Sequence, residues 1–509
     1  MCNFGGTQVS KIILFNPRSA EHKHRIPNSI LQVAASVVDR HEVILVDGNR
    51  EEDPWPVIEA HLAGGAQVLG TTVMPGPQLA QAITFSQRAK SQFPKVVNVW
   101  GGYFAANQHK AVLTSGFVDL VIDGMGDHAF PAVLDALENG REVGAIQNLI
   151  HVSNGQVVRN PRAPLPDMDT LPPLPYDLLE QRYPMRPYLG RTFLGERTIA
   201  YHSSFGCPFT CSFCAVVPIY NARWKGFSAG RIHRDIMRIK ERWGADAIEF
   251  HDNNFFVSEK RTVEFSQLIR SEGMHWWGEG RIDTIDKYTD ASLLLMREAG
   301  CRMIFFGAES GDDDQLKRMD KGGTQTGAQI LRFAERMGRF DIIPEYSFVL
   351  GFPADTEREV LNQIDRDIAF IRRVKEVNPA TEIIIYVYSP VPTEGSELFE
   401  RVKAAGFKFP ERLEDWLDPA WARFDLRKNP LTPWLTPKAV DRIRDFETVL
   451  NGYYPTVSDF KLSTLKRRLL RATAAPRYHG RAYRMPYEIK ALQKLWRYRQ
   501  PEIEGFEME

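Results

Sequence analysis

Three cysteines fall within eight positions, Cys207-Pro-Phe-Thr-Cys211-Ser-Phe-Cys214, with the spacing C-x3-C-x2-C. Three thiolates on one tight loop can ligate three irons of a 4Fe-4S cluster and leave the fourth iron open to a substrate. A structural zinc site, with His202 as a fourth ligand, is the competing chemistry, but zinc commonly takes paired C-x2-C units and only one such pair occurs here. Cys2 and Cys301 have no matching partner, and five cysteines in 509 residues make no disulfide framework. The cluster of three reads as a metal site in a reducing compartment.

The elements that must carry this loop follow from periodicity. From about Thr198, short β-rich runs alternate with helical segments: RTIAYHSSF, DAIEFHDNNFF, HWWGEGRID, RMIFFGAESG, IIPEYSFVLGFP and EIIIYVYSPVPTEG. Six strand-helix units over 196–400 predict a partial (β/α)6 barrel, whose functional groups gather at the carboxyl face, and the cysteines follow its first strand directly. Upstream, KIILFN, EVILVD, VLGTTVM, VVNVWGG and LVIDG alternate with segments of helical period. They predict an α/β domain over 1–150 with a doubly wound, flavodoxin-like parallel sheet. Ligands of such a sheet lie beyond the carboxyl ends of its strands. Those ends hold Thr72, Met74, Gly101, Gly102, Gly124 and Gly126. Glycines there let the backbone approach a large ligand, or simply make strand-to-helix turns. No GxGxxG follows the first strand, so a dinucleotide fingerprint is missing. A proline-rich stretch over 151–195 predicts a stiff, extended connector. Residues 401–509 read as a helical, aromatic-rich region.

Composition narrows the function classes. Hydrophobic residues make up 43% and charged residues 25%, the balance of an ordinary globular chain, and the length suggests about three domains of ~150 residues. Lys+Arg and Asp+Glu both total 64, which gives no general attraction to nucleic acid or an anionic membrane. The local exception is Lys461 to Gln500, with twelve Lys or Arg against Glu488 alone. That stretch is either a solvated helical face or a docking surface for an acidic partner or an anionic substrate. The amino-terminal MCNFGGTQVSKIILFNPRS lacks an apolar signal core, and no run approaches the ~18 apolar residues of a membrane span. The expectation is a cytoplasmic protein.

The sequence CPFTCSFC resembles the CxxxCxΦC signature of the radical S-adenosylmethionine (SAM) enzymes. The resemblance implies that Cys207, Cys211 and Cys214 hold the cluster, and that its open iron chelates the amino and carboxylate groups of SAM. An electron from the cluster then cleaves the sulfonium to a 5′-deoxyadenosyl radical. It also implies that Phe213 packs near the adenine and that Gly351, in FVLGFP, lies beside it. Glu309 in GAESG would meet the ribose or the amine, and Arg281 in GEGRID would grip the SAM carboxylate. Asp252 in EFHDNNFF stands where the superfamily often has Gly-Gly-Glu near the methionyl amine, although the glycines are absent. A barrel-internal ion pair is the alternative for Arg281 and Asp252.

Joined to a doubly wound domain, such a barrel resembles the cobalamin-binding subfamily, over roughly residues 10–400. The matching pieces are VDGN ending at Asn49, GTTVMPGP from Gly70, VWGGYF from Val99, and IDGMGDHAF, where Met125 and Asp127 replace the glutamates of the usual GEGE. The cobalt-ligating DxHxxG is missing from FNPRSAEHKHRIPNS, since neither His22 nor His24 sits in such a motif. Cobalamin would then carry no protein imidazole, and Met74 is the candidate to face it from below. The implied activity is a cobalamin-dependent radical SAM methyltransferase. One SAM would methylate cobalamin and a second would yield the radical that opens an unactivated carbon of a small-molecule substrate. Electrons would come from a low-potential donor such as flavodoxin or ferredoxin. One alternative keeps the cofactors but closes a ring, resembling the anaerobic magnesium-protoporphyrin monomethyl ester cyclases. Another, a corrinoid-binding sensor or carrier, would use the first domain alone, and the intact cysteine motif argues against it.

Overall fold

The run Lys11–Asn16 is apolar between its ends, as a strand covered on both faces must be, and it forms β1 at the centre of the first sheet. The computed structural model describes residues 11–19, 25–319, 325–388, 397–404, 406–422, 432, 434–457 and 462–496. Cys2, His22, His24 and Lys461 lie outside the described residues, as does the stretch of the last barrel run beyond Tyr388. After β1 come β2 (Glu42–Asp47), β3 (Val68–Thr72), β4 (Val97–Gly101) and β5 (Leu120–Ile122). These five strands are parallel and take the order 2-1-3-4-5, the flavodoxin-like order predicted, with its topological switch between β1 and β3.

The sheet does not stop at residue 150. β6 (Leu149–Ser153) and β7 (Gln156–Arg159) extend it as an antiparallel hairpin beside β5. The hairpin turns on Asn154 (φ 51°) and Gly155 (φ 74°), positive φ at both central residues as a type I′ turn requires. Residues 160–195 then form a packed strap rather than a free connector. Arg162 pairs with Asp123 through two 2.8 Å bonds and Tyr188 donates to Asp47 at 2.7 Å, which ties the strap to the first sheet. The Ser228 amide donates to Asp169 and the Trp243 indole to Glu180, each at 2.9 Å, which ties it to the barrel. One continuous apolar core accordingly runs from Leu14 and Val99 through Leu171 and Tyr188 to Ile199 and Phe250.

The second sheet is the predicted partial barrel. Its parallel strands are β8 (Thr198–Tyr201), then β11 (Ala247–Phe250), β12 (His275–Gly280), β13 (Cys301–Glu309), β14 (Ile343–Leu350) and β15 (Glu382–Val387), in the order 15-14-13-12-11-8. Between β8 and β11 a short antiparallel ribbon, β9 (Ser204–Gly206) with β10 (Trp224–Gly226), brackets the cysteine loop.

Residues beyond 400 split between two supports. The turn Leu413–Leu417 reaches back to the first domain, where the wholly buried Trp416 meets Phe104 edge-on at 4.9 Å. The helices Pro437–Tyr453, Thr464–Gly480 and Tyr487–Trp496 gather against the long barrel helix Glu357–Val377. No helix among the described residues is long and apolar enough to cross a membrane.

Candidate functional site

The cysteine loop is fixed from below before any cysteine is reached. Ser203 and Ser204 follow β8, and the carboxylate of the wholly buried Asp252 accepts from the Ser203 amide, the Ser203 hydroxyl and the Ser204 hydroxyl, each at 2.6 Å. Arg261, buried beside this carboxylate, donates to the carbonyls of Ser203, Phe255 and Phe227. Burial pushes the Asp252 carboxyl up, while Arg261 and the serine donors oppose it. Gly206 comes next at φ 80°, and a Cβ there would stand 2.1 Å from the Arg223 carbonyl oxygen. Only glycine lets the chain pass this point into Cys207.

Cys207 and Cys214 are half-buried, and Cys211 is 9% exposed. The loop is pinned by the Ser212 amide donating to Met319 at 3.0 Å, and it turns on a 3.0 Å bond from Cys214 N–H to the Cys211 carbonyl. Its sulfurs face N–H donors. Arg281 Nη1 lies 3.1 Å from Cys211 Sγ, and Asn254 Nδ2 lies 4.0 Å from Cys207 Sγ. Asn254 is 1% exposed and its Oδ1 has no hydrogen-bond partner, an orphaned buried acceptor beside Cys207. Burial pushes the Cys207 thiol up, and the Phe209 amide and Asn254 oppose it. Donors directed at sulfur suit anionic thiolate ligands. Among the described residues no three of His, Cys, Asp and Glu converge as one metal ion needs.

The other predicted residues take varied places. Arg281 spends Nε and Nη2 on Asp283 at 2.9 and 2.7 Å and stacks 3.9 Å over Phe209. Two of its guanidinium nitrogens thus bond within the protein, and the Asp252 carboxylate bonds to the start of the cysteine loop. Glu309 ends β13 next to an irregularity in the β13–β14 register, 5% exposed and at φ 64°, a conformation costly for a residue with a Cβ. Phe213 packs with Met319, Phe352, Tyr388 and Val402. Gly351 receives Leu435 at 3.0 Å from where its Cβ would be, and its carbonyl accepts from the Trp434 indole at 3.0 Å. A cleft lined by Ser310, Asp312, Arg318, Phe352 and Asp367 opens beside Glu309 and Gly351.

At the first sheet, Thr72, Met74, Gly101, Gly102, Gly124 and Gly126 all stand at the carboxyl ends of β3, β4 and β5. Met74 is 50% exposed, its amide held by Gln78 at 2.8 Å, and a Cβ on Gly124 would meet nothing within 4 Å. Gly102 and Gly126 are accounted for by packing, against Val73 backbone and Val33 respectively. Two members of the expected set therefore border open space.

The concave side of the barrel carries residues the sequence reading passed over. Along β11 and β12, Ile248, Phe250 and Trp276 are buried against the helices, while Glu249, Trp277 and Glu279 alternate to the other side. Trp277 donates to Glu345 at 3.0 Å. His251 Nε2 lies 3.2 Å from Glu249 and 3.1 Å from Arg25 of the first domain. Enclosure by protein, then Asp252 and Glu249, push Glu279 up to about 8. Desolvation by the surrounding protein, then His251 and Arg25, pushes His202 down, although its side chain keeps solvent-accessible surface. The period-2 pattern in HWWGEG was the available signal, since Trp277 and Glu279 share one side of β12.

Residues 201–366 match the family model described as the radical SAM superfamily. An uncharacterized methyltransferase of Pyrococcus horikoshii is 29% identical over 365 residues, covering 69% of this chain and 76% of its own. An anaerobic magnesium-protoporphyrin IX monomethyl ester cyclase of Rubrivivax gelatinosus is 26% identical over 409 residues, covering 76% of this chain and 65% of its own. Among solved structures, the cobalamin-dependent S-adenosylmethionine radical enzyme OxsB, with aqua-cobalamin and S-adenosylmethionine bound, shares the fold at a TM-score of 0.68. The identity there is 15%, over 96% of this chain and 75% of that one.

Proposed function

Because its barrel belongs to the radical SAM superfamily, we propose that this protein is a cobalamin-dependent radical SAM methyltransferase that methylates an unactivated carbon of a small molecule. The observation that carries the reading is the set of three cysteines at the carboxyl face of the barrel, braced by Asp252 and met by N–H donors from Asn254 and Arg281. Cys207, Cys211 and Cys214 would hold a 4Fe-4S cluster. Glu309, Phe213 and Gly351 line the neighbouring strand ends suited to SAM, and Asn254 offers an orphaned buried acceptor there. Met74 and Gly124 border the open ground at the first sheet suited to cobalamin, with Thr72 and Gly101 beside them. When bound, these groups supply a radical and a transferable methyl group. The protein's own residues orient them: Asp252 and Arg261 hold the loop, and the strap 160–195 joins the two domains.

Methyl transfer is preferred to ring closure on the likeness to the Pyrococcus methyltransferase, and the cyclase of Rubrivivax keeps ring closure as the second reading. The electron donor we propose is a small acidic protein of the flavodoxin or ferredoxin kind. It would meet the helix Thr464–Gly480, where Arg468 is exposed between Leu465 and Leu469. Arg467 is less available, donating to the Pro455 and Thr456 carbonyls, whereas Arg471 is exposed while lying 5.0 Å over Tyr453.

The test of the cluster is direct. Anaerobic reconstitution of the full chain should yield about four irons per chain and a broad iron-sulfur absorbance. The triple variant C207A/C211A/C214A should lose both, and retention of four irons in that variant would sink the assignment.

A further inference from the structure

Arg281 is placed unlike a residue awaiting a ligand. It follows β12, and only 7% of its side chain and 4% of that of Asp283 is exposed. Asp283 takes the Nε and Nη2 donors, Phe209 of the cysteine loop lies against the guanidinium face, and Nη1 is directed at Cys211 Sγ at 3.1 Å. The carboxylate, the ring and the thiol thus hold the guanidinium on three sides.

We propose that the Arg281–Asp283 pair is a positioning device that sets the reduction potential of the cluster by presenting a charged N–H donor to the Cys211 thiolate. The inference rests on the cluster reading above. A donor and a positive charge beside a cluster sulfur stabilise the more negative, reduced state, so they raise the potential. Asp283 opposes this with a buried negative charge one bond-pair further away, and in a poorly screened site neither charge is masked by solvent. The pair therefore works as a fixed dipole with its positive end on the cluster. A reductant needs less driving force to load such a cluster, while the fork geometry keeps the cysteine loop in register with β12.

The two residues must act with opposite signs. Arg281→Gln removes the positive end and leaves Asp283, so the midpoint potential should shift to a more negative value. Asp283→Asn removes the opposing charge and leaves Arg281, so the midpoint should shift to a more positive value. Arg281→Lys keeps the charge without the fork and should lie between wild type and Arg281→Gln. The experiment is a redox titration of the anaerobically reconstituted full chain and its three variants, followed by paramagnetic resonance of the reduced cluster, with iron counted in each and SAM affinity measured alongside.

Opposite shifts for Arg281→Gln and Asp283→Asn support the proposal, as no loosening of the loop would move the potential both ways. Should Arg281→Gln fail to retain iron, the positive shift in Asp283→Asn and the negative shift in Arg281→Lys carry the same comparison. Shifts of the same sign, or none, with iron fully retained overturn it. An unchanged potential with SAM binding weakened tenfold or more in Arg281→Gln also overturns it, and returns Arg281 to the SAM carboxylate. A wild-type chain that takes up no cluster refutes the earlier reading instead, which keeps the two failures apart.

Discussion

Asp252 shows how little a residue's type and spacing say about its bonding partners. A carboxylate at a barrel strand end invites a ligand, yet both oxygens of this one are taken by Ser203 and Ser204, which lie 49 and 48 residues earlier in the chain. Spacing made the cysteines legible because cluster chemistry demands them on one loop; nothing local announces which donors a buried acid will find. Replacing Asp252 with Ala strands three donors and the Arg261 charge, so unfolding in denaturant should show a loss of about 3–5 kcal/mol. A stability change near zero coupled to lost SAM binding would restore the ligand role. Glu279 makes a second prediction, with its sign set by linkage. Its carboxyl is pushed from 4.5 up to about 8, so between those values the folded protein keeps a proton that the unfolded chain has released. Stability should therefore fall as pH rises through that window and level off above it. Glu279→Gln should unfold at a similar denaturant midpoint to wild type at pH 5 and at a higher one at pH 9; parallel profiles for the two proteins would contradict this.

At the scale of elements, β1 and β2 are legible to the residue because buried parallel strands read as unbroken apolar runs. The hairpin β6–β7 was missed although Asn154-Gly155 is the strongest short hairpin signal, because a half-exposed edge of four or five residues carries little apolar pattern. The strap at 160–195 reads as a linker from its prolines, but its anchors are side-chain bonds to residues far away in the chain, such as Arg162 to Asp123 and Tyr188 to Asp47. Gly102 tests an element boundary. It sits at φ 90° at the end of β4, and a Cβ there would lie 2.9 Å from the Val73 carbonyl oxygen. Gly102→Ala should cost about 1–3 kcal/mol in chemical unfolding; an unchanged midpoint would show that the β3 loop can give way, and that the glycine answers to something other than packing.

At the scale of the molecule, the chain folds back on itself twice. The strap joins both sheets, and the turn Leu413–Leu417 returns to the first domain through Trp416. Neither long-range docking is visible in local periodicity, so the region beyond 400 reads as a helical unit of its own although it packs on two others. The consequence for function is that both sheets share one core and one set of supports, which fixes the proposed cofactor sites relative to each other. The most direct measurement is mass spectrometry after anaerobic incubation of the reconstituted full chain with cobalamin, a low-potential reductant, methyl-labelled SAM and an extract of its host. We predict a product one labelled CH2 heavier than its precursor, absent with C207A/C211A/C214A. A product that has lost hydrogens and gained no labelled methyl would contradict methyl transfer and place the chain with the ring-forming enzymes.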